Sequence, residues 1–257
     1  MTSPWTTSAG PSLGSGGTVT LVEGPAFCIS GRTGNMHASF PEGLFYRDTR
    51  FLSEMELRVN GQVPEPLAAT TTDPFSASFV LRDHPLRGGA DSQLVVFRHR
   101  YVGRGMREDL VVRNFGEEPA FCAIELTLNC DFADLLEVKE GRVERTGELR
   151  LEADRTRMTF SYRRGGFPRG TYVDFSTAPK INGNIASYEL IIPARGQWST
   201  CLQITPVIDA TPVEPRDWLR RRSRWSPFEM LFWLAALLPF VVFPTYLPLA
   251  SQIAIAA

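Results

Sequence analysis

The chain has 257 residues, 43% of them hydrophobic and 21% charged, with 27 Lys and Arg set against 28 Asp and Glu. One large domain of about 200 residues fits this globular composition better than two small ones. The net charge of −1 argues against RNA or DNA as a non-specific partner. Cys28, Cys122, Cys130 and Cys201 lack C-x-x-C spacing and are too few for a disulfide scaffold, which predicts a reduced, cytoplasmic protein. His37, His84 and His99 are scattered without ligand spacing, so no metal is expected. No phosphate loop, dinucleotide fingerprint or nucleophile elbow points to a cofactor or a nucleophile.

Residues 1–17 are rich in Ser, Thr, Gly and Pro, carry no charged side chain and read as a disordered leader. Two β-prone runs follow, Thr18-Val19-Thr20-Leu21-Val22 and Ala26-Phe27-Cys28-Ile29-Ser30, broken by Gly24-Pro25. A loop over 31–41 leads into Gly43-Leu44-Phe45-Tyr46-Arg47-Asp48-Thr49-Arg50-Phe51-Leu52-Ser53. From Phe51 the apolar positions Phe51, Met55, Leu57 and Val59 alternate with the charged Glu54, Glu56 and Arg58, the period of a strand with one buried face. Asn60-Gly61 tolerates the positive φ of a tight turn and predicts a reversal into 63–67. Arg47, Asp48 and Arg50 place three charges between apolar groups, and such charges are paired if buried, with Asp48 expected to neutralise both arginines.

Further strands are predicted near 75–81, 93–102, 107–114, 120–130, 142–151, 157–162, 171–176, 186–192 and 197–204. The clearest is 120–130, where Cys122, Ile124, Leu126, Leu128 and Cys130 share a face; Cys122 and Cys130 lie about 26 Å apart along it and cannot form a disulfide. Trp198, Thr200, Leu202 and Ile204 repeat the pattern near the end of the domain. More than ten strands at hairpin spacing make the chain all-β, a large antiparallel β-sandwich.

A different composition begins at 216. Arg216, Arg220, Arg221, Arg222 and Arg224, with Trp218 and Trp225, precede a run over 228–257 that carries a single charge, Glu229. Its apolar portion, 230–250, is long enough to cross a bilayer, and the basic cluster would place the sandwich in the cytoplasm with the tail in an inner membrane. Pro239, Pro244 and Pro248 oppose a lone spanning helix, so the tail reads either as an anchor or as a poorly ordered end.

Thr18-Val19-Thr20-Leu21-Val22-Glu23-Gly24, the stretch from Gly43 to Ser53, and Asp131-Phe132-Ala133-Asp134-Leu135-Leu136-Glu137-Val138 carry a resemblance. In this order and spacing, across roughly 18–215, the chain resembles the N-terminal domain of bacterial glycogen debranching enzymes of the amylo-α-1,6-glucosidase type. The resemblance implies a supersandwich-like β domain followed by an (α/α) toroid that holds the glycosidase carboxylates, and only 42 residues remain after Pro215.

Glycosidases need two carboxylates about 5 to 10 Å apart, one protonated and one ionised. The candidates here are Asp109 beside Glu108, and Asp131, Asp134 and Glu137; at a strand end Asp131 and Asp134 suit helix capping better than catalysis, so no catalytic residue is assigned. Arg47, Asp48 and Arg50 admit three readings: an ion-pair network pinning the loop to the sandwich, a docking surface for a catalytic domain, or a sugar contact. With Asp131 and Asp134 they form the expected contact set for substrate or a second domain. Two functions stand: a non-catalytic domain of a glycogen debranching system, truncated from its glucosidase toroid or supplied with it in trans, or a free-standing module that binds α-glucan or a protein.

Overall fold

The computed structural model describes residues 17–85, 92–144 and 147–213. In chain order the elements are β1 (Val19–Glu23), β2 (Ala26–Ser30), β3 (Gly43–Tyr46), β4 (Thr49–Leu52), β5 (Glu54–Val59), β6 (Glu65–Asp73), β7 (Ser76–Arg82), β8 (Leu94–Val102), β9 (Met106–Asn114) and β10 (Ala120–Asn129). Then follow α1 (Leu135–Glu140), β11 (Glu148–Ala153), β12 (Arg157–Arg164), β13 (Phe167–Phe175), β14 (Lys180–Asn182), β15 (Ile185–Ile192), β16 (Gln197–Ile208) and β17 (Thr211–Pro212). Among the described residues these strands make three antiparallel sheets, ordered β1-β2-β3-β4, β14-β15-β10-β5 and β11-β12-β13-β16-β9-β8-β7-β6, with β17 paired to β16.

Alternation decides which side of each strand is buried. On β10 Cys122, Ile124, Leu126 and Leu128 are fully inside, continued by Cys130, while Phe121 and Glu125 face out. Leu202 and Ile204 of β16 and Val96, Leu110 and Val112 of the large sheet enter the same core as Met55, Leu57 and Val59 of β5. The architecture is therefore an antiparallel β-sandwich in which all three sheets contribute to one apolar interior.

The expected strand from Phe51 to Val59 is interrupted at Ser53. Its first part, β4, pairs with β3, and its second part, β5, pairs with β10. Ser53 donates its backbone N–H to the carbonyl of Asn129 at 2.8 Å and its hydroxyl to the same oxygen at 3.1 Å, so the corner between the two sheets is itself bonded. Asn60 (φ 51) and Gly61 (φ 80) make the tight turn that the sequence indicates, closed by reciprocal bonds between Val59 and Gln62. Beyond it the chain leaves β5 and enters β6, an exposed strand at the end of the large sheet. The strand expected over 142–151 begins only at Glu148; α1 and its Gly141 cap (φ 65) end just before the expected start, and residues 142–144 form no strand. The basic cluster and apolar tail lie outside the described residues, among which no helix is long and apolar enough to cross a membrane.

Candidate functional site

The two segments singled out from sequence meet at one corner. The turn between β3 and β4 runs beside the segment that leads into α1: Arg50 donates its backbone N–H to the carbonyl of Ala133 (2.9 Å), Leu135 donates to Asp48 (2.9 Å), and Thr49 bridges Asp134. Phe45 anchors the corner, stacked on Phe27 with centroids 4.5 Å apart and packed with Ala133 and Val138. Two bulky residues there, Arg47 and Phe132, hold positive φ (54° each), conformations that non-glycine residues adopt at a cost and that surrounding contacts must impose. Arg47 is held by its N–H to Pro25 (2.7 Å), and Phe132 by Phe51 and by stacking on Tyr162.

Arg50, 1% exposed, is the hub below this corner. Its Nε donates to Asp131 Oδ1 at 3.1 Å and its Nη2 to Asp131 Oδ2, a bidentate pair. Its remaining N–H groups reach the carbonyls of Phe40 (3.1 Å), Glu42 (3.0 Å) and Ala38 (3.4 Å). The partner expected from sequence is thus corrected. Asp48 sits exposed at the turn and enters no ion pair among the described residues; the neutralising carboxylate comes from Asp131, 81 positions along the chain. Arg50 and Asp131 form the buried support, while Arg47, Asp48 and Asp134 form the exposed edge.

Asp134 is the N-cap of α1: its carboxylate accepts from the N–H of Leu136 at 2.8 Å, and the Glu137 carboxylate accepts in return from the N–H of Asp134 at 3.3 Å. Asp134→Ala is expected to lower stability by about 1 kcal/mol, as loss of an N-cap does, with α1 amides exchanging faster in hydrogen-exchange measurements.

A second charged cluster has no counterpart in the sequence reading. Arg98 and Arg100 of β8 and Glu108 of β9 all face the apolar interior and are at most 1% exposed. Glu108 Oε1 accepts from Arg98 Nε at 2.5 Å, and Oε2 accepts from Arg100 Nε at 2.6 Å. The outer ends of both arginines reach the same 31–42 loop that Arg50 holds. Arg98 Nη1 donates to Thr33 O (2.8 Å) and Asn35 Oδ1 (2.6 Å), and Arg100 Nη2 donates to Gly34 O (2.6 Å). Burial alone would push the Glu108 carboxyl up, but Arg100 and Arg98 outweigh it and hold the group below its ordinary value. Arg98 Nη2 is the single buried side-chain N or O atom without a partner among the described residues.

The carboxylates considered for catalysis are accordingly occupied. Glu108 is locked between two arginines, Asp131 is bound to Arg50, and Asp134 and Glu137 cap α1. Asp109 pairs with Arg107 Nε at 2.9 Å. Strand register also aligns Ser78, His99 and Asp109 across β7, β8 and β9, and Ser78 Oγ lies 2.9 Å from His99 Nδ1; with Asp109 turned to Arg107 the row is not a nucleophile relay. All four cysteines are free. Burial pushes the Cys122 and Cys201 thiols up to about 12 and raises Cys28 and Cys130 as well, leaving little thiolate at neutral pH.

The sequence profile of the N-terminal domain of (some) glycogen debranching enzymes matches residues 21–203. The chain belongs to this family. That span of the debranching-enzyme domain contains Arg50, Asp131, Arg98, Arg100, Glu108 and the loop they hold. No curated protein matches the sequence. Among solved structures, a protein described as a kojibiose phosphorylase from the human microbiome is similar at a TM-score of 0.43 and 9% identity over 73% of this chain. The debranching-enzyme domain spans 26% of that protein. A protein described as an aldose 1-epimerase from Escherichia coli K12 is similar at a TM-score of 0.43 and 8% identity, with 75% of this chain and 99% of that one covered. Likeness of this degree carries no conclusion about chemistry.

Proposed function

We propose that this debranching-enzyme domain is a non-catalytic sandwich that works in the cytoplasm with a glucosidase domain acting on α-1,6 branches of an α-glucan. The observation that carries the reading is the engagement of every candidate carboxylate. Glu108 and Asp131 are buried against arginines, Asp109 pairs with Arg107, and Asp134 and Glu137 satisfy the start of a helix, so none of these five carboxylates is left free to serve as a glycosidase acid or base. The exposed edge Arg47, Asp48 and Asp134, carried on a rigid buried support, meets the glucosidase domain, which supplies the catalytic carboxylates.

The purified chain is expected to release no glucose from a limit dextrin on its own. Added to a debranching glucosidase domain that lacks its own sandwich, it is expected to raise that domain's activity and to co-migrate with it in gel filtration. Glucose release by the chain alone, abolished by Asp134→Asn with the melting curve little changed, would overturn the non-catalytic assignment. Charge reversal at Arg47 and Asp48 is expected to weaken the association without changing the melting temperature.

A further inference from the structure

Both buried ionic clusters act on one loop. Residues 31–42 contain no strand and no helix, yet the carbonyls of Thr33, Gly34, Ala38, Phe40 and Glu42 all accept from buried guanidinium groups. Met36 bridges Met55 in both directions (2.9 and 3.1 Å), and the His37 N–H donates to Glu42 Oε2 at 2.9 Å. Arginine buried with a carboxylate is a weak source of net stability, because desolvation offsets most of the attraction. Three such arginines spent on one irregular loop instead give it a fixed shape, which is what a binding surface requires.

The element so fixed presents an aromatic ring to solvent. Phe40 is 57% exposed although its own carbonyl is bound by Arg50 and its N–H donates to His37 O at 3.0 Å. The His37 ring meets the Phe40 ring edge-on, with centroids 6.4 Å apart, and buttresses it. The Glu56 carboxylate lies 3.7 Å from His37 Nδ1 and accepts from Arg58 Nε at 2.6 Å. The group therefore combines one rigid apolar ring, a carboxylate acceptor, an imidazole and a guanidinium, with no net charge when His37 is neutral.

We infer that Phe40, with His37 and Glu56, is a docking platform for a pyranose ring of a neutral glucan, one face of the sugar lying on the Phe40 ring and its hydroxyls bonding Glu56 and His37. The charge balance disfavours a polyanion or polycation. A protein interface would ask for a wider apolar patch around the ring, and Phe40 is the one exposed large hydrophobic residue described in this loop. The inference rests on the proposed place of the domain in glucan debranching and adds a site for the polymer on the sandwich itself.

The test is affinity electrophoresis of the full chain through gels containing soluble glycogen, with maltoheptaose titrations monitored by protein NMR. The native chain is expected to be retarded, and Phe40→Ala to weaken binding roughly tenfold or more with an unchanged melting temperature. Phe40→Trp is expected to restore binding, and Glu56→Gln to weaken it. A native chain that glycogen does not retard, or a Phe40→Ala variant that binds as tightly as native, would overturn the platform. So would a Phe40→Ala variant that binds glycogen normally but no longer co-migrates with the glucosidase domain, since that marks a protein contact. Stimulation of the glucosidase, read separately, reports on the proposed function and not on this site.

Discussion

Glu108→Ala is expected to unfold the protein under conditions where the native chain is intact. The substitution removes the carboxylate that Arg98 and Arg100 share and leaves two guanidinium groups in an apolar interior. Removing one partner of a buried pair destabilises by roughly 3–5 kcal/mol, a large part of the about 5–15 kcal/mol that holds a domain together. Urea denaturation reads the loss, and a change under about 1 kcal/mol would show that the arginines find other partners or water. The same group imposes a pH dependence of known sign. Its folded pKa lies below the unfolded value, so its contribution is complete above about pH 4.3 and is lost as pH falls through the lower folded value. The urea midpoint of the native protein should therefore drop in acid, and Glu108→Gln should lack that part of the drop. Replacing all three charges by Met and Leu is expected to be far milder than Glu108→Ala, while the amides of Gly34 and Met36 exchange faster because the loop has lost its anchors.

Asp131→Ala should be the second severe substitution, again by roughly 3–5 kcal/mol, because Arg50 would stay buried with carbonyl partners alone. Asp48→Ala, the change that the local charge cluster would nominate, is expected to stay within about 0.5 kcal/mol of native, as exposed sites away from special features do. Paired melting curves of these two variants decide between the local and the long-range partner; equal losses would contradict the geometry. Gly43→Ala probes the packing of the same corner. At φ 138 a Cβ on residue 43 would lie 2.4 Å from the carbonyl oxygen of Leu52 and 2.8 Å from Cδ of Arg50, so the methyl group would collide with the β4 backbone as well as the arginine stem and hold a strained φ. It should destabilise the fold severely, as Asp131→Ala does.

Much of this arrangement can be read in the sequence, and the rest is hidden for definable reasons. The alternation of Cys122, Ile124, Leu126 and Leu128 and the Asn60-Gly61 pair are local signals that the fold obeys. The Arg98, Arg100 and Glu108 cluster escapes because arginine and glutamate are counted as outward residues, although their parity gives them away. Arg98 and Arg100 are in phase with Leu94, Val96 and Val102, and Glu108 is in phase with Met106, Leu110 and Val112. β6 carries no apolar alternation because it lies exposed at a sheet edge, where propensity yields to pairing with β7. The division at Ser53 has no Gly or Pro to mark it; it is set by β10, which takes β5 away from the sheet that holds β4. Asp131 could not be named as the partner of Arg50 from spacing, since only the folded corner brings the two segments together.

The neighbourhood of β9 sets an order of events during synthesis. β8 and β9 are adjacent in sequence and form a hairpin closed across Val102 and Met106, whereas the other neighbour of β9 is β16, which begins only at Gln197. At about 5–20 residues/s the nascent hairpin waits several seconds for that strand. Its inward face is not uniformly greasy during the wait, because Arg98, Arg100 and Glu108 sit among Val96, Leu110 and Val112. Charges within an exposed strand surface act as gatekeepers against edge-to-edge aggregation. The groups that Arg98 and Arg100 grip, Thr33, Gly34 and Asn35, are made before β8, so these charges can be paired with the 31–42 loop while β9 still lacks its second neighbour.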